Sequence, residues 1–126
     1  MEIDSNIKIA LIHDWLSQDY TGGAEKVLKE IVQVLHNKDL NYDLYTLINH
    51  LDKENFREPN LQKIFTSIIQ NLPFSKKHFH KYLPLFPFAI EQFDLNQYNL
   101  VLSSSHSVAK GVITSPDQLH ISYIHS

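Results

Sequence analysis

The chain has 126 residues, 43% of them hydrophobic and 20% charged, which suits one compact domain closed around a single core. A formal net charge of -3 supplies no global positive field, so the composition argues against a nucleic-acid partner and against general attraction to anionic membranes. With no cysteine the chain has neither a disulfide scaffold nor a thiolate metal site, and a reducing, cytoplasmic location is the expectation.

Met1 to Asn6 is polar and acidic, and the apolar run Ile7-Lys8-Ile9-Ala10-Leu11-Ile12 is interrupted at His13 and Asp14. That pattern is not a signal peptide. No stretch approaches the roughly 20 apolar residues that span a bilayer, so any membrane contact is expected to be peripheral. The Ile7 to Ile12 run predicts a strand covered on both faces of a parallel sheet. Ala24, Val27, Leu28, Ile31, Val32 and Leu35 then line one face of a helix ending near Asn37, with Glu25, Lys26, Lys29 and Glu30 toward solvent. Tyr42 to Leu47 predicts a second strand, and the order strand, helix, strand opens a right-handed βαβ unit.

Leu61, Ile64, Phe65, Ile68, Ile69 and Leu72 have helical spacing, so periodicity predicts a helix, although Lys63 to Ser67 also suits a short strand. Pro73 ends this segment, and Pro84 and Pro87 divide the next into short helical pieces around Lys81-Tyr82 and Ala89 to Phe93. Tyr98 to Ser103 and Leu119 to His125 predict two further strands. The expected fold is α/β, a Rossmann-like, open and mostly parallel sheet with helices on both faces.

Three features carry possible chemistry. Gly22 and Gly23 lie between the first strand and the first helix, where uncovered backbone N–H groups at the positive helix end suit a phosphate or a sugar hydroxyl. A tight turn needing positive φ is the plainer account of one such glycine. Polar residues follow three predicted strands: His13-Asp14-Trp15, Ser103-Ser104-Ser105-His106 and His125-Ser126. Ligands of open α/β sheets bind beyond the carboxyl ends of the strands, so these residues are expected to build one cleft. His36, His50, His78, His80 and His120 lack that placement and read as structural or surface residues. Lys76, Lys77 and Lys81 adjoin the proline-broken apolar stretch Leu83 to Phe88, which suits either an anionic lipid surface or a solvated helix beside core aromatics. Nothing has metal-ligand spacing, a nucleophile elbow or a phosphate-binding Gly-Lys-Ser/Thr loop.

Several segments, taken together, resemble the N-terminal domain of bacterial family-4 retaining glycosyltransferases of the GT-B fold, especially mannosyltransferase-like members. They are Lys8 to Leu16, Gly22 to Leu28, Leu83-Pro84-Leu85 with Ile90 to Leu95, Ser103 to His106, and Val108 to Val112. The resemblance covers nearly the whole chain. It implies an acceptor-binding domain facing a second domain that holds a nucleotide diphosphate sugar, with transfer proceeding without a metal or other cofactor. By this resemblance Gly22 and Gly23 match the glycine loop near donor diphosphate and acceptor. His106 and His125 match cleft positions, either one corresponding to the active-site histidine, and both are taken as catalytic candidates. Asp14, Trp15, Ser105 and Lys110 are taken as substrate-binding candidates. The resemblance also favours a strand at Lys63 to Ser67.

The donor domain of that family has no counterpart in these 126 residues, so the polypeptide is expected to be inactive by itself. The competing reading is a binding module for a glycan or a partner chain, without chemistry. An ordinary nucleotide-binding Rossmann domain is disfavoured, because no acidic ribose-binding residue is evident after the second strand.

Overall fold

The computed structural model describes residues 7–14, 23–47, 60–72, 79–105, 112–116 and 118–124. Within them lies an all-parallel sheet of strands β1 (Ile9–His13), β2 (Tyr42–Thr46), β3 (Leu61–Thr66), β4 (Leu100–Ser105) and β5 (Leu119–Ile124). Their spatial order is β3-β2-β1-β4-β5. Helix α1 (Gly23–Asn37) lies between β1 and β2 in the chain. Two 3-10 segments (Ile68–Asn71 and Phe79–Leu85) and the short helix α2 (Phe86–Glu91) lie between β3 and β4.

Parallel strands need crossover connections, which place covering layers on both faces and make the central strands apolar throughout. All five residues of β1 are buried. On one face, Ile9 and Leu11 of β1, Tyr42 and Leu44 of β2, and Leu100 and Leu102 of β4 form one cluster with Leu28, Ile31, Val32 and Leu35 of α1. The last four belong to the six-residue stripe that the spacing predicts, and the side chains of the other two, Ala24 and Val27, lie outside those described. On the other face, Ala10, Ile12, Tyr45 and Val101 meet Ile69 and the α2 residues Phe86, Ala89 and Ile90. The fold is therefore the expected open α/β sheet with helical cover on both sides.

Helix α1 ends in a motif that satisfies its last carbonyls. Leu40 N donates to Leu35 O at 2.9 Å and Asp39 N to His36 O at 3.0 Å, while Asp39 takes a positive φ of 54°. This is a Schellman cap with aspartate in the place that glycine usually fills, and the buried Leu40 supplies its apolar contact. Asn60 ties the start of β3 to this turn: its amide donates to Asn41 Oδ1 at 3.3 Å, and its Oδ1 lies 2.9 Å from His36 Nδ1.

The helix expected from Leu61 to Leu72 is instead strand β3 followed by a 3-10 turn. The pairing of β2 with β3 slips between Tyr42 and Leu44, where Leu61 and Ile64 face residues only two apart. Leu61 and Ile64 thereby pack on the same cluster, whereas Phe65 packs on the opposite one. A bulge in an edge strand has imitated the i, i+3 spacing of a helix. Ser67 then caps the turn, accepting from Ile69 N at 3.2 Å and donating to Leu47 O at 2.8 Å.

Strand β5 is barely covered on the α1 face. Leu119 and Ile121, which pair with Leu100 and Leu102, are 54% and 40% exposed.

Candidate functional site

The chain enters the sheet at its centre, adds β2 and β3 on one side, and then returns to add β4 and β5 on the other. The connections after β1 and β4 consequently diverge, which makes their carboxyl ends the topological switch point where open α/β sheets bind ligands. Four polar residues sit there. His13 ends β1 and lies in register with Thr46 of β2 and Ser104 of β4, and Asp14 follows directly. Each is buried, with at most 1% exposed.

Polar side chains are placed in such surroundings only with partners. His13 Nδ1 lies 3.3 Å from the Ser104 carbonyl, which can only accept, so Nδ1 carries the hydrogen. This bond joins the two strands that flank the switch point. The rim is laced further by Leu47 N donating to Asp14 O at 3.0 Å and Ser67 N to Leu47 O at 3.3 Å. The carboxyl ends of β1, β2 and β3 thus form one hydrogen-bonded edge, a rigid floor for whatever binds above it.

Of the strand-end and glycine-loop residues singled out in the sequence, His13, Asp14, Gly23, Ser103, Ser104 and Ser105 fall within the described structure. Gly23 opens α1, whose amino end must lie on the carboxyl side of the sheet because β1 and β2 are parallel. Ser105 occupies the last rung of β4, paired with Ile124 of β5. The strand order places the ends of β1, β4 and β5 side by side, as the cleft argument requires. Trp15, Gly22, His106, Lys110 and His125 lie outside the described residues. Thr46 was not anticipated, although its place at the end of a predicted strand was the available signal.

Of the two places expected for His120, structural or surface, it takes the structural one, half-buried and bonded to its neighbours. Its Nε2 lies 3.0 Å from Ser103 Oγ and 3.2 Å from Ser122 Oγ, and the two serine oxygens are 2.7 Å apart. Burial lowers its pKa from the usual 6.5, because the charged imidazolium would lose water. The unfolded chain consequently takes up this proton first as pH falls, so stability drops below about pH 6.5 and is unaffected by this group above it. Urea midpoints measured from pH 7 to pH 5 are expected to fall less steeply in His120→Gln than in the parent. Equal slopes would remove His120 as a source of the acid sensitivity.

A shallow concavity of about 240 Å³ lies at the opposite, amino end of the sheet, lined by Lys8, Asn41, Asp43, Gln62 and Gln97 among others. It lies on the side of the sheet where the strands begin, away from the switch point. No group of three or more metal-ligating side chains occurs among the described residues, and no described helix is long and apolar enough to cross a membrane. Compared with family models, curated proteins and solved structures, the chain gives no match.

Proposed function

We propose that this chain binds a saccharide acceptor as the N-terminal domain of a retaining glycosyltransferase similar to family 4. The observation that carries the proposal is the β3-β2-β1-β4-β5 order, with buried His13, Asp14 and Ser104 gathered at its switch point. Three of the sequence segments resembling that family, Lys8 to Leu16, Gly22 to Leu28 and Ser103 to His106, include residues at this edge. In this reading the acceptor, a glycan or a lipid-linked saccharide, lies along the carboxyl rim. The amino end of α1, beginning at Gly23, faces a nucleotide diphosphate sugar held by another domain. Backbone N–H donors of the first turn of α1 would stabilise developing negative charge on the leaving diphosphate.

Two surface features support it. Exposed Leu119 and Ile121 form an apolar strip of the kind that packs against further protein. Leu85 and Phe88, 41% and 55% exposed beside the exposed Lys81, offer a peripheral membrane contact near a lipid-linked acceptor.

The test is a titration of the purified chain with short neutral oligosaccharides, read by backbone amide shifts. Saturable shifts are expected at the backbone amides of His13, Asp14 and Ser104, which lie beneath the proposed acceptor position. Binding of free nucleotides without any saccharide response would overturn the proposal in favour of a nucleotide-binding domain.

A further inference from the structure

Ser103, His120 and Ser122 form a closed triangle on one face of β4 and β5, the face that α2 covers farther along the sheet. Ser103 is fully buried, His120 is half-buried and Ser122 is exposed. Ser103 pairs with Ile12 of β1, one residue short of the His13 and Ser104 pair at the switch point. The triangle therefore adjoins the carboxyl rim and opens to solvent at Ser122.

The hydrogens in this triangle can be counted. If Nε2 is bare, Ser103 donates to it and Ser122 donates to Ser103, which leaves the Ser122 oxygen facing solvent as an acceptor. If Nε2 carries the hydrogen, it donates to Ser103 and Ser103 donates to Ser122, whose own hydrogen then faces outward. Without movement of any heavy atom, the array presents either an acceptor or a donor at one place. It carries no charge while the imidazole is neutral, so an ionic ligand finds no opposite charge there to offset the loss of its own hydration. Its natural complement is a group that is neutral and both donates and accepts, which is a hydroxyl.

We infer that Ser103, His120 and Ser122 form a hydroxyl-recognition subsite for a neutral pyranoside, reading one sugar hydroxyl through Ser122. The inference deepens the acceptor reading above and rests on it for the identity of the ligand. Ser122 makes the contact, and Ser103 and His120 are positioning residues that set the direction of its hydrogen bond.

The full chain is titrated with a methyl hexopyranoside while the imidazole nitrogens of His120 are followed by NMR. A saturable change in the Nε2 and Nδ1 shifts is expected as the ligand selects one tautomer. Ser122→Ala, at an exposed position, is expected to weaken binding about fivefold, and Ser122→Thr to restore most of it. Silent His120 resonances, or unchanged affinity in Ser122→Ala, overturn the subsite. If amides at His13, Asp14 and Ser104 respond while His120 does not, the acceptor reading survives without it. If His120 alone responds, the subsite stands and the acceptor is misplaced. Inorganic phosphate is the control, and a phosphate response centred on His120 that exceeds the pyranoside's replaces the neutral ligand by an anion and overturns the assignment.

Discussion

Phe86→Ala is expected to cost about 3–5 kcal/mol of folding stability, the range for removing a buried aromatic ring without collapse of its site. Phe86 is fully buried and begins α2, a six-residue helix far too short to persist without packing. Its ring belongs to the cluster that holds α2 and the preceding 3-10 segments against Ala10, Ile12, Tyr45 and Val101 of the sheet. Removing it leaves a cavity and loosens the cover of a whole face. Phe88, two residues on and 55% exposed, is the matched control, and Phe88→Ala should change stability by no more than about 0.5 kcal/mol. Urea unfolding of both variants decides the matter, since equal losses would mean that α2 does not cover the sheet through Phe86.

That contrast also shows what the sequence conveys about such a segment. The stretch Leu83 to Phe88 reads as a uniformly apolar run, and only packing separates the buried Phe86 from the exposed Leu85 and Phe88. Strands were easier to read, because β1 lies between two neighbours and two covering layers, so every residue from Ile9 to Ile12 is apolar. Helix α1 was legible from one stripe, Leu28 to Leu35, that meets one face of that sheet. β3 was legible only as the alternative strand at Lys63 to Ser67 that the resemblance favoured, because its bulge shifts the alternation and its edge position weakens the apolar signal.

The candidate site divides in the same way. Residues at strand ends follow from topology, so Asp14 and the Ser103 to Ser105 run were visible once strands were assigned. The triangle at His120 was not visible, because Ser103 lies 17 residues from His120 and 19 from Ser122. Only the register of β4 on β5 brings them together. A histidine in an alternating strand gives no hint of the residue across from it.

Tyr98→Phe is expected to destabilise the domain by about 2–3 kcal/mol, although it removes a single oxygen. Tyr98 is only 4% exposed, and its hydroxyl donates to Asp43 Oδ2 at 2.6 Å. With that hydrogen committed, the Tyr45 hydroxyl, 3.0 Å away, must donate to Tyr98. Substitution therefore takes a donor from a carboxylate and an acceptor from Tyr45, which is itself buried among Phe65 at 4.7 Å, Phe93 at 5.0 Å and the Tyr98 ring at 5.7 Å. The chain also gives this variant a pH signature. Burial, then the bond to Asp43 and the contact with Tyr45, raise the Tyr98 pKa well above the ordinary 10.0, and burial foremost raises that of Tyr45. The unfolded chain thus loses these protons first, and stability that is complete below pH 10 declines as pH rises above it. Tyr98→Phe removes one of the two titrations, so its urea midpoint should start lower at pH 8 and fall less steeply between pH 9 and pH 11. A variant that is as stable as the parent at pH 8 would show that water, rather than Tyr98, satisfies Asp43; one with an unchanged alkaline slope would show that the Tyr98 hydroxyl is not held protonated by the fold.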